Sequence, residues 1–254
     1  MRLIVKENYE ELSKETSKII EAQIREKKDT VLGLATGSSP LGAYKDLVRK
    51  FKEEDLSFKN VVCFNLDEYI GLNGKNKSSY TYFMNENLFK HIDIKRENTY
   101  IPDGMAKDPI RFGMEYDQMI LDKGGIDLQI LGVGSNGHIG FNEPADRLSL
   151  GTTVVELTQG TIQDNSRFFD HVKDVPTKAI TMGIGNIMKA RKIILLVCGM
   201  HKSEILAKIL NEESITTNIP ASLLLLHSDF TIICDKEAYS KVKRQQWGFL
   251  WEKN

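Results

Sequence analysis

The chain has 254 residues, with 34 Lys plus Arg against 35 Asp plus Glu and a formal net charge of −1. That balance weighs against a nucleic-acid partner held by bulk charge, and no apolar stretch approaches the roughly 20 residues of a membrane span. With 41% hydrophobic residues and no apolar leader at the N-terminus, the expectation is one cytoplasmic α/β domain over residues 1–254.

Met1 to Asn8 reads as a first strand, and Tyr9 to Lys27 as an amphipathic helix carrying Leu12, Ile19, Ile20 and Ile24 among Glu and Lys. A strand over Thr30–Ala35 and a helix from about Pro40 through Tyr44, Leu47, Val48 and Phe51 follow. Then come a strand from Val61 to Leu66, a helix from Tyr80 to Phe89, and a short extended piece, Thr99 to Pro102. A helix from Pro109 to Leu121 leads through Gly124-Gly125 to the strand Ile126–Leu131. In the second half, Thr152 to Leu157 reads as a strand followed by polar residues, Ala179 to Met182 as extended, and Gly185 to Ala190 as helical. Lys192 to Val197 is an apolar strand, His201 to Leu210 a helix and Phe230 to Cys234 a last strand. Leu223 to Leu226 stays open between helix and strand. Alternation of this kind predicts a three-layer Rossmann-like fold, with a mainly parallel sheet between helices. Cys63, Cys198 and Cys234 lie in or at the ends of apolar runs and read as buried thiols without function.

Three strand exits carry chemistry, and the carboxyl ends of strands are where open α/β sheets bind ligands. In the first, Gly33 to Pro40, a strand meets Thr36-Gly37-Ser38-Ser39 just where a helix begins. Backbone N–H groups and hydroxyls there suit an anion, against the plainer reading of a helix cap. The glycine spacing is neither that of a P-loop nor that of a dinucleotide fingerprint. In the second exit, Asp67 and Glu68 are adjacent carboxylates, suited to a metal or to proton transfer, or else to capping a helix.

The third exit is the richest. Four glycines, Gly132, Gly134, Gly137 and Gly140, share nine residues with Asn136 and His138, and Glu143 follows five residues after the histidine. An imidazole can take up and release a proton, and the carboxylate can hold its tautomer or charge. The five histidines show no metal-ligand spacing, so no metal is expected. Arg167 and Lys202 are further cations that suit a phosphate or, equally, solvent.

Taken in order, Leu34 to Pro40, Asn65 to Tyr69, Gly132 to Pro144 and Asn165 to Phe169 resemble the isomerising glucosamine-6-phosphate deaminase family, over nearly the whole chain. The resemblance implies conversion of D-glucosamine 6-phosphate and water to D-fructose 6-phosphate and ammonia, in amino-sugar catabolism and without a cofactor. It matches Asp67 to the proton-transfer base and His138 with Glu143 to the ring-opening pair. Asn136 falls where many members carry aspartate, and the working hypothesis is that it orients His138 by hydrogen bonding. Thr36, Gly37, Ser38, Ser39, Arg167 and Lys202 match the phosphate-binding set. In allosteric members, basic residues after the catalytic loop bind an acetylated sugar phosphate between subunits. Ser149 to Glu156 has no Lys or Arg, so a non-allosteric enzyme is expected, and self-association is left open. A lid is expected around Asn165 to Val175. The rival readings are a sugar-phosphate lactonase using His138 as base, and a sugar-phosphate sensor without catalysis.

Overall fold

The structure, a computed structural model, describes residues 1–166, 169–211, 214–243 and 250–251. The first half holds β1 (Arg2–Lys6), α1 (Tyr9–Glu26), β2 (Val31–Leu34), α2 (Ser38–Glu53), β3 (Val62–Asn65), β4 (Asp67–Tyr69), α3 (Tyr80–Asn87), β5 (Thr99–Tyr100), α4 (Pro109–Asp122) and β6 (Leu128–Gly132). The second holds β7 (Thr153–Glu156), α5 (Gln159–Asn165), β8 (Lys178–Thr181), α6 (Ile184–Met188), β9 (Lys192–Val197), α7 (Ser203–Asn211), β10 (Phe230–Asp235), α8 (Lys236–Tyr239) and β11 (Leu250–Trp251).

The main sheet runs in the order β11-β1-β10-β9-β6-β2-β3-β5, and its pairings are parallel throughout. Parallel strands covered on both sides are apolar on both sides, and β9 shows why three layers form. Ile193, Leu195 and Val197 join one core with Tyr116 and Ile120 of α4 and with Leu206 and Ile209 of α7. Ile194 and Leu196 join the other core, with Leu12 and Ile20 of α1 and Tyr44 and Leu47 of α2. Each such fully buried side chain contributes roughly 1.5–3 kcal/mol. The expected Rossmann-like α/β architecture is the one observed.

Chain order places the site. From β2 the sheet grows through β3 to β5, then resumes on the other side of β2 with β6, β9 and β10. The direction reverses between β2 and β6, which pair at Leu32↔Leu128 and Gly33↔Gln129. The loops leaving those two strands therefore diverge and leave a crevice.

Three local expectations needed correction, and one reading left open is resolved. Asp67 to Tyr69 is not a loop but strand β4, the edge of a second, antiparallel sheet β4-β8-β7. Gln159 to Asn165 is a helix rather than an irregular polar stretch, started by Thr158, whose side chain accepts the Thr161 N–H. Leu223 to Leu226 belongs to a 3-10 segment, Pro220–Leu226. Helix α2 begins at Ser38, ahead of Pro40. Proline fits there because the first-turn N–H groups have no partner within the helix. Among the described residues, no helix is long and apolar enough to cross a membrane.

Candidate active site

Four parallel strands that are neighbours in the main sheet, β9, β6, β2 and β3, end on one cavity of about 230 Å³. Its walls include Ser38 and Ser39 after β2, Asp67 after β3, His138 after β6 and Lys202 after β9, with Thr161 reaching in from α5.

One end of the cavity is formed by the start of α2. Helices α1, α3, α4 and α5 are each capped by a side chain, from Asn8, Ser79, Asp108 and Thr158 respectively. The N-cap of α2 is Gly37, at φ 90°, and it offers no side chain. The first-turn amides of this 16-residue helix and its positive dipole end are thereby left to a ligand. Thr36, Gly37, Ser38 and Ser39 all line the cavity, and Lys202 faces it from the turn after β9. That turn is held by Asp235, whose carboxylate accepts the Gly199 N–H at 2.8 Å. Tyr9 braces the opposite wall, donating to the Ser38 carbonyl at 2.6 Å and accepting the Gly42 N–H at 2.8 Å. Arg167 lies outside the described residues. So does part of the expected lid. Of that segment, Phe169 sets its ring edge-on to Tyr69 at 5.6 Å, and Val172–Asp174 forms a 3-10 turn.

The two acids after β3 separate in role. Glu68 is a cap: its carboxylate accepts the N–H groups of Tyr69, Tyr80 and Thr81, and the Thr81 hydroxyl. It fixes the start of α3 and is turned to that use, not to the cavity. Asp67 lines the cavity and is 6% exposed. Burial, reinforced by the neighbouring Glu68 charge, pushes its carboxyl up to about 8. It therefore holds a proton near neutrality and can pass it on.

The third exit assembles the imidazole. His138 Nδ1 is buried without a hydrogen-bond partner and stands 3.5 Å from Glu143 Oε2, an ion-pair distance just beyond hydrogen-bond reach. Glu143 is gripped instead by neutral donors. Asn136 Nδ2 donates to Oε2 at 2.6 Å, and the Thr161 hydroxyl donates to Oε1. Burial works to raise the Glu143 carboxyl, but the His138 imidazole and these hydrogen bonds outweigh it and hold it below the ordinary range. Asn136 does not bond the imidazole directly. It acts on Glu143 and, through Oδ1, accepts the His138 backbone N–H at 3.2 Å.

Thr161 and Asp235 had no signal in the sequence, since neither sits in a motif or an apolar period. Cys198 was read as inert, yet its thiol lines the cavity 3.8 Å from Ser39 Oγ, because it stands one residue past the end of β9. Among the described residues, no group of three or more His, Cys, Asp or Glu is placed to hold a metal ion.

A family model described as glucosamine-6-phosphate isomerases/6-phosphogluconolactonase matches residues 5–233. The chain is 52% identical over 242 residues to a glucosamine-6-phosphate deaminase of Thermoanaerobacter sp. (strain X514), covering 95% of each. It is 51% identical over 243 residues to that of Clostridium perfringens (strain 13 / Type A), covering 96% of this chain and 100% of the relative. Among solved structures, a monomeric glucosamine-6-phosphate deaminase superposes with a TM-score of 0.92 at 44% identity, over 95% of this chain and 100% of that one. A 6-phosphogluconolactonase from Trypanosoma cruzi shares the fold, with a TM-score of 0.76 at 19% identity over 96% of this chain and 97% of that one.

Proposed function

The chain belongs to the family of glucosamine-6-phosphate isomerases and 6-phosphogluconolactonases, and we propose that within it the reaction is the deaminase's. D-glucosamine 6-phosphate and water give D-fructose 6-phosphate and ammonia. One observation carries this reading: a single cavity is lined by Asp67, whose carboxyl is pushed up, and by His138, beside which the Glu143 carboxyl is held down. Carboxyls driven apart in this way take separate parts in proton transfer.

The substrate enters phosphate first, onto the open end of α2 with Ser38, Ser39 and Lys202; Arg167 is the further cation assigned to that phosphate. Contacts remote from the reacting carbons supply orientation. His138 takes the proton of the C1 hydroxyl and returns one to the ring oxygen, opening the pyranose. Glu143, an anion throughout, stabilises the charged imidazole as it forms, much as a buried carboxylate does in a catalytic triad. Asp67 then removes the C2 proton and delivers it to C1, while a proton passes from the amine to the C1 oxygen, which converts the open-chain aldehyde into a 1-hydroxy-2-imine. Water adds at C2 and ammonia leaves.

The test is release of ammonia and fructose 6-phosphate from glucosamine 6-phosphate with no metal added. Equal amounts of the two products are expected. Binding of the sugar phosphate without turnover would favour the sensor, and hydrolysis of a sugar-phosphate lactone instead would favour the lactonase. The rate should rise hyperbolically with substrate and ignore added N-acetylglucosamine 6-phosphate, because Ser149 to Glu156 offers no cation to an anionic effector. Sigmoidal kinetics relieved by that compound would overturn the non-allosteric reading.

Asn136 gives a second test. An aspartate there can donate to Glu143 only while it is protonated, so the two carboxylates share a proton until it titrates away. Asn136→Asp is expected to keep most of the activity and to gain a new limb in its kcat/KM–pH profile. A folded but inactive variant would show that the amide is required for more than holding Glu143.

A further inference from the structure

The carboxylate that faces His138 is held from outside its own loop. Thr161 stands on α5, 18 residues from Glu143 in sequence and 3% exposed. Its Oγ1 donates to Glu143 Oε1. A hydroxyl has one proton to give, so with that proton committed its oxygen is left to accept. Thr158 fills this place, donating Oγ1 to Thr161 Oγ1 at 3.2 Å while accepting the Thr161 N–H at 3.2 Å. The N-cap of α5 and the grip on Glu143 are thus one hydrogen-bond chain, with a fixed direction that ends on the carboxylate.

A residue with these bonds can do more than fill space, because the pair it serves is not closed. His138 Nδ1 is buried, has no hydrogen-bond partner and stands 3.5 Å from Glu143 Oε2. A shift of half an ångström brings that pair into hydrogen-bond range, and catalytic hydrogen bonds often tighten only when substrate is bound. Helix α5 is placed to supply the shift, since Asp164 and Asn165 near its end also line the substrate cavity and Ser135 of the His138 loop bonds Asp164 at 3.3 Å.

We propose that Thr161 is a positioning residue for ring opening: its hydroxyl sets the Glu143 carboxylate against His138 Nδ1 and ties that step to the placement of α5. The proposal rests on the assignment of His138 and Glu143 to ring opening. The groups that face Glu143 are His138 and Asn136 from its own loop and Thr161 from α5, so loss of the hydroxyl removes one of the three interactions that keep the carboxylate ionised.

The experiment compares T161V, T161A, T161S and E143Q with the unaltered protein. It reads kcat and KM across pH, together with the Glu143 carboxyl titration by carbon-13 NMR of the substrate-free protein, its signal assigned by its absence in E143Q. T161V and T161A are expected to lose about tenfold in kcat, the worth of one charge-assisted hydrogen bond, with KM changed less than about twofold. Both should move the Glu143 titration upward by about one pH unit. T161S, which keeps the hydroxyl, is expected to recover most of the rate and the original titration. Unchanged titration and rate in T161V or T161A, or equal impairment in T161S, overturns the positioning role. E143Q with full activity and an unchanged pH profile overturns the ring-opening assignment itself, a result distinct from an impaired E143Q beside a normal T161V.

Discussion

Asp67→Asn is expected to leave a folded protein that releases ammonia about a thousandfold more slowly, within the range that a positioned acid or base contributes. Substrate affinity should change little, because the phosphate contacts lie elsewhere. The same variant is expected to gain stability, by an amount that depends on pH. Asp67 titrates at about 8 when folded and near 3.9 when unfolded. Between those values the folded state holds a proton that the unfolded state has lost, so stability falls as pH rises through the window. Above about pH 8 the folded protein carries a buried anion, and the destabilisation is complete.

Asparagine stays neutral throughout. Its advantage is therefore absent below about pH 4, grows across the window and reaches its full size near pH 8. There a gain of a few kcal/mol raises Tm by at least about 5 °C in a chain of this length. Thermal unfolding of the two proteins at about pH 4 and about pH 8.5 reads this directly. A stabilisation that does not change with pH, or a variant that turns over at the original rate, would count against Asp67 as the proton carrier. The kinetic profile follows from the same burial. In the substrate-free protein kcat/KM should rise towards pH 8 as Asp67 ionises. The kcat limb should lie lower, because the charged amine of bound substrate stabilises the carboxylate.

The strands of the main sheet were legible because parallel strands buried on both faces are short continuous apolar runs, as in Lys192 to Val197. The three exits were legible because glycine and clustered polar groups interrupt such runs abruptly. β4 was hidden for the converse reason. Asp67-Glu68-Tyr69 has the composition of a turn, and only pairing with Thr181, Ile180 and Ala179 makes it a strand. The two acids of that strand are buried, and burial together with the adjacent Glu68 charge raises the Asp67 carboxyl. Glu68 shows how two chemistries share one spelling. A carboxylate that accepts three backbone N–H groups looks in sequence like one that takes protons from a substrate. Helix α5 lacks an apolar period, with a single isoleucine in Gln159 to Asn165, so its contribution to the site through Thr161 was invisible. Asn136 sits beside His138 and Glu143, but its bonds go to the carboxylate and to the His138 backbone, not to the ring.

Gly134→Ala is expected to cost at least about a hundredfold in kcat, through the position of one ring. A Cβ at residue 134 would stand 2.2 Å from His138 Cε1 and 2.4 Å from Nδ1, with Nε2 at 2.5 Å, so the imidazole lies flat against the glycine. The backbone is not the obstacle, since Gly134 is not among the positive-φ glycines, and alanine fits the local chain. What the methyl group must do is displace the ring. The loop cannot easily give way instead, because Gly134 N donates to the His138 carbonyl at 2.9 Å and its own carbonyl accepts the Gly137 N–H at 3.0 Å. The imidazole swings towards the open cavity, away from Glu143, and a misplacement of about 1 Å is enough to lose two orders of magnitude. Because the ring moves into open space, Tm should fall by less than about 3 °C, and KM should stay near its original value. His138→Gln is the reference. If both substitutions act on the same imidazole, their losses are similar and the double variant is no slower than His138→Gln alone. Additive losses would place the effect of Gly134 elsewhere in the loop. A Gly134→Ala protein with the original rate would mean that ring opening does not pass through His138.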